Sequence, residues 1–549
     1  MHTHLKQAWY DDLQNDHPFN LESASATADH PSTFRAISIF PWNKSSLDTL
    51  WNGEFATEPL KVELWHKTHE KWSGMVAVGG GSELRLFLSR PHQQYLPICK
   101  IDVPDVHMRF GDEEKSLPED VTCVTWCLVQ NADEFWPLVV FASNAIMYLF
   151  NVEKGTYHGI LRGHGGKITS LAVHPVDPSI LASTSYDHTC RIYDITKRVE
   201  HKIDNPRWPG KYKMAMAGAP LGVRANEPEG VDYGRCTAIL TGETSGSHPA
   251  PVLGAAFHPR YPIIATCGMD RAVKLWRIPV ATGDKIARED RPLFSSADVH
   301  DAQVLSVNWT GDDKLLTVCG EATMRNGATD LIYTEPGTVV LWQWLGLELF
   351  FPSGCETYPA LLRGCSTPKA AVRPQTSSDV IYINSLIGTA SFRIISKYTL
   401  PPPQLSVPAF VFDTPKHTPL IALPSLGCVY LSSVQHFEPR PTPFSIPGSN
   451  LLTDALDNPR LDVDGLEVTG VNNFNALPCW TVQTSNGKTN KEQIRDGERG
   501  MEANLPKLEA CTISENGRLL IAVGEREGIW IWRIPRGKQF LRAPTSSER

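Results

Sequence analysis

The 549-residue sequence lacks the features of membrane, secreted and nucleic-acid-binding proteins. No run approaches the roughly 18 apolar residues of a membrane-spanning helix, and the amino terminus has no apolar signal-peptide core. The 52 Lys and Arg residues are outnumbered by 60 Asp and Glu residues, so the basic surplus of a nucleic-acid binder is missing. The sequence predicts a soluble protein that neither crosses a membrane nor reads DNA sequence, although a local basic face stays compatible with this balance.

Metal-binding and catalytic motifs are also missing. The 12 Cys are scattered without a CxxC pair, and the closest pair, Cys123 and Cys127, has no His nearby at zinc-ligand spacing. Reduced, buried thiols of an intracellular protein are the favoured interpretation. No GxSxG, HExxH or kinase signature occurs, and GHGGKIT (163–169) lacks the spacing of a phosphate loop. We therefore expect no metal, no cofactor and no enzymatic activity.

Short stretches of alternating apolar residues recur along the chain, separated by Pro, Gly and Asp. The clearest unit, 161–195, begins with Gly-His at 163–164 and ends with Tyr193-Asp194. This arrangement matches the WD-repeat signature, whose length is about 40–45 residues. The same aromatic marker stands at Tyr148 in the preceding unit, which gives a period of the expected length. Alternation of this kind predicts short antiparallel strands.

Seven such units predict an all-β fold, a seven-bladed WD40 β-propeller with long insertions between its blades. The predicted organisation is a disordered tail over 1–33, a propeller over 34–536 with insertions at about 201–246, 438–464 and 483–507, and a tail over 537–549.

Three of the seven blades are poorly marked, among them the first, which lacks Gly-His and Trp-Asp marks, and the sixth, which is degenerate. We expect KVELW (61–65) to be a strand of the first blade and 379–384 to be a strand of the sixth. The orphan stretch Thr33–Phe40 alternates like a strand as well. We expect it to complete the sheet of the last blade, because that arrangement closes the ring and removes an exposed edge.

Three residues of the clearest unit predict a hydrogen-bond network. In the WD design a buried His, the Asp of a turn and a strand hydroxyl bond one another, and here they are His164, Asp187 and Ser183. The alternative is a catalytic Ser-His-Asp set. The structural interpretation is favoured, because a network of this kind fixes a blade without performing chemistry.

Three segments resemble one WD-repeat family closely. They are CGMDRAVKLWRI (267–278), GHGGKITSLAVHPVDPSILASTSYDHTCRIYDI (163–195) and LLIAVGEREGIWIWRI (519–534). All three resemble blades of EED, also called extra sex combs, the WD-repeat subunit of Polycomb repressive complex 2. The resemblance is good over about 121–278 and 508–534 and thin elsewhere.

The resemblance implies a noncatalytic scaffold in a nuclear histone methyltransferase complex. In that family one propeller face is wrapped by a helical segment of the SET-domain methyltransferase subunit. The other face holds a trimethyl-lysine of a histone tail in an aromatic cage, through cation–π attraction of about 0.5–2 kcal/mol per ring.

The positions that correspond to the family's cage hold no aromatic ring. They are Pro59 or Leu60, ahead of Trp65-His66, then Thr122, four residues before Trp126, and the pair Pro408 and Ala409, next to Phe410. The cage is therefore predicted to be degenerate at Leu60, Thr122 and Ala409, while the scaffold role is kept.

The expected partners are the SET-domain histone methyltransferase subunit and other subunits of the complex, with binding of a histone tail left open. One rival is a generic WD40 adaptor, such as a ubiquitin-ligase substrate receptor, whose blades often end in WDxR. Neither 193–196 nor 276–279 carries that motif. An enzymatic rival, a propeller hydrolase, would need acids, bases or metal ligands that converge in the central channel.

Overall fold

The structure is a computed structural model whose described residues form seven antiparallel sheets of four strands. Five sheets are separate, and the second and third are joined into one larger sheet. The described residues are 8–11, 16–26, 32–89, 97–104, 120–131, 134–199, 230–241, 247–279, 286–325, 332–352, 391–414, 417–437, 476–485 and 505–535.

The first strand of the chain belongs to the last blade, and the next strands build the first four blades in order. These strands are β1 (Asn20–Ser25); β2 (Ala36–Ile39), β3 (Met75–Gly80), β4 (Glu83–Leu88) and β5 (Cys99–Asp102); β6 (Val121–Gln130), β7 (Phe135–Ser143), β8 (Ile146–Asn151) and β9 (Thr156–Leu161); β10 (Ile168–Val173), β11 (Ile180–Ser185), β12 (Cys190–Arg198) and β13 (Gly230–Leu240); and β14 (Val252–Phe257), β15 (Ile263–Gly268), β16 (Val273–Arg277), β17 (Ala287–Glu289) and β18 (Phe294–Ser296).

The last three blades follow, and the fifth carries an extra hairpin. Their strands are β19 (Val304–Trp309), β20 (Lys314–Cys319), the hairpin β21 (Ala322–Arg325) and β22 (Ile332–Glu335), β23 (Thr338–Trp344) and β24 (Phe392–Thr399); β25 (Phe410–Thr414), β26 (His417–Pro424), β27 (Cys428–Ser433) and β28 (Trp480–Gln483); and β29 (Leu508–Ile513), β30 (Leu519–Gly524) and β31 (Gly528–Arg533). The helices are α1 (Pro59–Trp72) and α2 (Leu347–Phe350), with 3₁₀ turns at Trp9–Asp11, Lys44–Asp48, Leu50–Gly53 and Val434–Phe437.

The sheets stand side by side in a closed ring. The innermost strands β2, β6, β10, β14 and β19 contact one another in sequence, and β29 contacts both β25 and β2. The fifth and sixth blades pack through a shared cluster that includes Val318, Leu341, Ile421 and Leu423. Apolar side chains on both faces of each sheet fill the space between blades, as in stacked repeats. The predicted seven-bladed all-β propeller is confirmed.

The strand that closes the ring lies in the predicted tail. β1 pairs with β31, with Leu21 opposite Trp532 and Ser25 opposite Ile529. Trp9 packs edge-on against Trp480, with 4.9 Å between ring centroids. The prediction that 1–33 is a disordered tail is therefore wrong for 8–11 and 16–26, because backbone pairing and aromatic packing order these residues.

The stretch Thr33–Phe40 has a different place from the one predicted. Its strand β2 pairs with β3 and is the innermost strand of the first blade. Phe34 N–H also donates to the carbonyl of Gly524 in the seventh blade at 3.0 Å. The prediction that this stretch completes the last blade was wrong. Its alternating apolar side chains pack in the interior of the ring and not at the outer edge of a sheet.

The predicted strand KVELW (61–65) lies in helix α1. Pro59 occupies the start of the helix and His69 and Lys71 its last turn, which are the positions that favour these residues. Trp65 and Trp72, two turns apart, are buried, so one face of the helix packs on the propeller. The strand prediction was wrong because a stretch of five residues is too short to separate the two periods, and Lys61 and Trp65, four residues apart, share one buried helix face.

The third blade uses part of the predicted insertion 201–246. Residues Gly230–Leu240 form β13, which pairs with β12 and, through Gly230–Asp232, with β9 of the second blade. β17 adds parallel pairing to the other end of β13. The insertion is thus shorter than predicted, because its last part covers the outer edges of two neighbouring blades.

The connections divide the ring into two faces. In a four-stranded antiparallel sheet, the connection between the first and second strands and the connection between the third and fourth strands lie at the same end of the sheet. We call this end of the ring the insertion face. Helix α1 lies at this end, where the third strands β12, β23 and β27 end and the fourth strands β13, β24 and β28 begin. The second–third turns and the links between blades lie at the opposite end, the turn face. The predicted strand 379–384, insertion 438–464 and tail 537–549 lie outside the described residues, as does most of 483–507.

Candidate functional site

The predicted residues of the third blade meet beneath the turn face. His164 Nδ1 lies 2.8 Å from Asp187 Oδ2, and His164 Nε2 lies 2.7 Å from Ser183 Oγ. An ionised carboxylate can only accept, so Nδ1 carries the proton and Nε2 accepts from the serine hydroxyl. Thr189 adds a hydroxyl that donates to Asp187 at 2.7 Å.

This arrangement has the connectivity of a catalytic triad but not its accessibility. The exposed fraction is 0% for Ser183, 2% for His164 and 1% for Asp187. A nucleophile must reach its substrate, and this hydroxyl is sealed inside the sheet. The network therefore fixes the turn between β11 and β12 to the start of its blade.

The fourth blade contains a longer version of the network. His248 Nδ1 lies 2.9 Å from Asp270 Oδ2, and its Nε2 lies 2.9 Å from Thr266 Oγ1. Trp276 Nε1 donates to the same hydroxyl at 2.8 Å. The third blade has Tyr193 at the position of this tryptophan.

The fifth blade keeps the histidine without the aspartate. His300 Nε2 lies 2.7 Å from Thr317 Oγ1, and Trp342 Nε1 donates to that oxygen at 3.2 Å. The group near His300 Nδ1 is the hydroxyl of Thr338, at 3.4 Å. Among the residues that the structure describes, the hydrogen bonds of His300 thus involve hydroxyl groups and no carboxylate.

Burial sets the charge states of these groups. It lowers the pKa of His164 and of His248, and it lowers the pKa of His300 to about 3. Burial alone would raise the pKa of Asp270, but the hydrogen bond from His248 holds that pKa below its usual value. Neutral imidazoles that bond ionised aspartates suit a structural role.

Other chemistry has little support in the part of the chain that the structure describes. No group of three His, Cys, Asp or Glu side chains there could hold a metal ion. Burial raises the pKa of Cys123 to about 12 and holds the pKa of Cys127 far above its usual value, so both are inert thiols. Within the same residues, no helix has the length and apolar character needed to cross a bilayer.

The turn face has a regular feature that the sequence did not reveal. Five innermost strands carry a β-bulge at their second residue, where the pairing register shifts by one. The bulged residues are Thr122, Thr169, Leu253, Leu305 and Glu509. Bulges leave one residue out of the ladder and redirect its side chain.

Two of the bulged residues link neighbouring blades. Thr122 Oγ1 donates to the carbonyl of Ile168 at 3.0 Å, which joins the second blade to the third. Thr169 Oγ1 donates to the carbonyl of Val252 at 2.6 Å, which joins the third blade to the fourth. The predicted cage position Thr122 is therefore a bridge between inner strands.

The first-blade cage position was predicted in the wrong place. Leu60 stands in helix α1 on the insertion face and is 67% exposed, because the segment ahead of Trp65-His66 is a helix. Leu60 and Thr122 therefore lie at opposite ends of the ring. Ala409 precedes β25 and packs partly buried beside Val411 in the cluster between the fifth and sixth blades.

The first-blade counterpart of Thr122 is Arg35, which sequence reasoning missed. Val121 N–H donates to Gly81 of the preceding blade at 2.8 Å, just as Phe34 N–H donates to Gly524. The residues that follow, Thr122 and Arg35, are therefore equivalent. Arg35 is exposed and forms an ion pair with Asp120, with 3.1 Å between Nε and Oδ2.

The insertion face carries a compact aromatic group that joins the first two blades. Phe135 of β7 is surrounded by three rings from the segment between β2 and β3. Trp51 stacks on it at 5.7 Å, and Trp65 and Phe55 meet it edge-on at 5.5 and 6.4 Å. The backbone N–H of Trp51 also donates to the carbonyl of Val176 in the third blade at 2.7 Å. This segment fastens three blades together.

Comparison with known proteins gives the family context. The family "WD domain, G-beta repeat" matches residues 155–194 and 234–277. The Polycomb protein EED of Chaetomium thermophilum is 29% identical over 192 residues, which cover 34% of this chain and 28% of that protein. The Polycomb protein esc of Drosophila melanogaster is 25% identical over 34% of this chain and 39% of its own length. The match thus spans less than half of either relative.

Solved structures extend the likeness to nearly the whole chain. A chain of the Chaetomium thermophilum Polycomb Repressive Complex 2 bound to GSK126 matches with a TM-score of 0.55 and 17% identity. The match covers 94% of this chain and 98% of that one. Likeness at this identity establishes the fold, and the curated relatives confirm the predicted resemblance to the EED family. The prediction that the chain is not an enzyme agrees with these Polycomb relatives.

Proposed function

We propose that this EED-like WD-repeat propeller is a noncatalytic scaffold subunit of a nuclear, Polycomb-type histone-lysine methyltransferase complex. It binds and orders a segment of the SET-domain catalytic subunit, which supports repressive chromatin methylation. The observation that carries the proposal is the combined likeness to Polycomb proteins, in sequence over 192 residues and in fold over 94% of the chain.

The insertion face suits the docking of a partner segment. Four large apolar side chains are exposed there, namely Leu60 of α1, Ile98 between β4 and β5, and Leu345 and Leu349 at α2. Leu345 and Leu349 lie four residues apart on the fifth blade, and neighbouring exposed apolar groups mark interaction sites more often than single scattered ones do. The SET-domain subunit contributes a helical segment in the related family, and a helix presents such groups along one side.

The turn face supports a degenerate methyl-lysine cage. A cage needs several aromatic rings around the quaternary ammonium. At the equivalent positions this chain has a bridging threonine, Thr122, and a guanidinium, Arg35, which is paired with Asp120, and neither residue supplies an aromatic ring. Ala409 contributes only a methyl group. Recognition of trimethyl-lysine through this face is therefore proposed to be weak or lost.

Co-purification tests the scaffold role directly. The full chain is co-expressed with a SET-domain Polycomb methyltransferase and recovered through a tag on the propeller. We expect a stable complex that the double variant Leu345→Glu and Leu349→Glu weakens, while the control variant Met269→Ser on the turn face keeps it. Recovery of no methyltransferase with the unmodified chain would reject the proposal.

Peptide titration tests the cage. Histone peptides with unmodified and trimethylated lysine are titrated against the full chain in separate experiments. We expect no preference for the trimethylated form beyond roughly twofold, since no ring is present to supply cation–π attraction. A preference of more than about tenfold would contradict the degenerate cage and leave the scaffold proposal in place.

A further inference from the structure

Two neighbouring turns on the turn face carry the same unusual combination of side chains. The β11–β12 turn of the third blade exposes Tyr186, and the β15–β16 turn of the fourth blade exposes Met269 at the equivalent position. These side chains are 45% and 42% exposed. Each is accompanied by an exposed cation, Lys167 beside Tyr186 and Arg271 beside Met269. We call Lys167, Tyr186, Met269 and Arg271 the turn patch.

The acidic residues of these turns do not neutralise the patch. Asp187 and Asp270 point inward, where they accept hydrogen bonds from His164 and His248. Their side chains are 1% and 7% exposed. Neither Lys167 nor Arg271 forms an ion pair with any residue that the structure describes. Two fixed positive charges therefore face solvent on a protein whose net charge is −8.

The turns form one continuous surface. The backbone N–H of Tyr186 donates to the carbonyl of Lys167 at 2.9 Å, so these two residues are neighbours on the turn face. The inner strands of the two blades are joined by the bond from Thr169 to Val252. His188 stands between the turns, close enough to Asp187 and Asp270 to feel both carboxylates, and burial lowers its pKa. It therefore adds little charge near neutral pH.

The backbone holds these side chains in place. His188 and Arg271 follow the two aspartates and have φ of 69° and 66°, in the left-handed region. The aspartates fix both turns by accepting from Thr189 N–H at 3.0 Å and Ala272 N–H at 3.2 Å. A rigid surface loses little conformational freedom on binding, which favours affinity.

We propose that the turn patch binds an acidic peptide segment that carries a large apolar residue, supplied by a partner protein. The two cations attract the carboxylates of the segment, and the ring of Tyr186 with the thioether of Met269 receives its apolar side chain. Charge complementarity selects this occupant over a basic tail, which Lys167 and Arg271 would repel. The patch lies on the face opposite the proposed methyltransferase site.

Selection from random short peptides tests the proposal. A phage-displayed library is selected against the immobilised full chain, and enriched peptides are measured by fluorescence anisotropy. We expect enriched sequences with a surplus of Asp and Glu and at least one large apolar residue. Two double variants should each weaken binding roughly tenfold or more. One combines Lys167→Glu with Arg271→Glu, and the other combines Tyr186→Ser with Met269→Ser.

Matched variants on the insertion face serve as controls. Lys44→Glu reverses an exposed cation and Leu60→Ser removes an exposed apolar group, and both should leave peptide binding unchanged. Co-purification with the methyltransferase should survive the patch variants, so failure of one proposal is separable from failure of the other. The turn-patch proposal is overturned if no peptides are enriched or if the enriched peptides are basic. It is also overturned if the patch variants bind the peptides as tightly as the unmodified chain does, or if a random DNA duplex competes as well as the peptides do.

Discussion

His248 and Asp270 are joined at 2.9 Å beneath the turn face, with their ring and carboxylate sealed from solvent. The pair anchors the turn of the fourth blade and extends through Thr266 to Trp276. In the fifth blade the group near the corresponding nitrogen, His300 Nδ1, is the hydroxyl of Thr338 at 3.4 Å. Equivalent blades are thus fastened by networks of different charge, so they should respond differently to mutation and to acid.

Loss of the aspartate should destabilise the ring strongly. Asp270→Ala leaves His248 Nδ1–H and Ala272 N–H without their acceptor, and a buried group left unpaired costs about 3 kcal/mol. Thermal unfolding should show a clear fall in Tm. The matched control is Asp312→Ala, which breaks the exposed ion pair with Arg260 and should cost at most about 0.5 kcal/mol. Equal effects of the two variants would contradict the structural role of the network.

The fifth blade should make stability sensitive to mild acid. Burial lowers the pKa of His300 to about 3, whereas an unfolded histidine titrates near pH 6.5. The unfolded state therefore binds the extra proton between these values, and stability falls with decreasing pH by up to about 1.4 kcal/mol per pH unit. Denaturant unfolding at several pH values should show a shallower slope for His300→Gln, while the exposed control His66→Gln should retain the original slope.

Removal of the closing strand should expose an edge. Deletion of residues 1–26 removes β1 and Trp9, so the backbone of β31 loses its partner and Trp480 loses an aromatic contact. We expect a loss of about 3–5 kcal/mol and increased aggregation. Calorimetry and light scattering measure both effects. Deletion of residues 1–7 alone, which spares the strand, should change little, and an equally large effect would show that the strand is not the cause.

The bridging threonines should each contribute measurably. Thr122→Val and Thr169→Val keep the shape but remove the hydroxyl that donates to the next blade, and each should cost about 1 kcal/mol. Thr323→Val, an exposed position on the β21–β22 hairpin, is the control and should be neutral. Chemical denaturation measures all three. If Thr122→Val were as silent as the control, the bridge would be irrelevant to stability.

Much of the ring was predictable from short apolar stretches separated by turn residues. These stretches mark the strands of the second to fifth and the seventh blades, and the central strands β8, β15 and β30 are buried on both faces because each sheet packs between two neighbouring blades. The strand β1 escaped prediction because its sequence, NLESAS, contains one large apolar residue. It is held by backbone pairing and by packing of residues outside the strand, neither of which leaves a periodic pattern.

The candidate site was less predictable than the fold. The bonds among His164, Asp187 and Ser183 follow from repeat spacing, which fixes where each residue stands in its blade. The equivalence of Arg35 and Thr122 depends on which strand is innermost, and assignment of Thr33–Phe40 to the wrong blade concealed it. The signal that could have revealed helix α1 was Pro59 followed at the other end by His69 and Lys71.

The pairing of β1 with β31 has a consequence for how the protein is made. Glu22 and Arg533 form an ion pair across 511 positions of sequence, so the closing sheet joins segments that are synthesised far apart in time. On the ribosome, the early strand must wait without a partner until almost every other blade has emerged. Such delayed pairing slows folding and exposes an aggregation-prone intermediate. Chaperones that shield nascent chains should therefore govern how much of this protein a cell obtains.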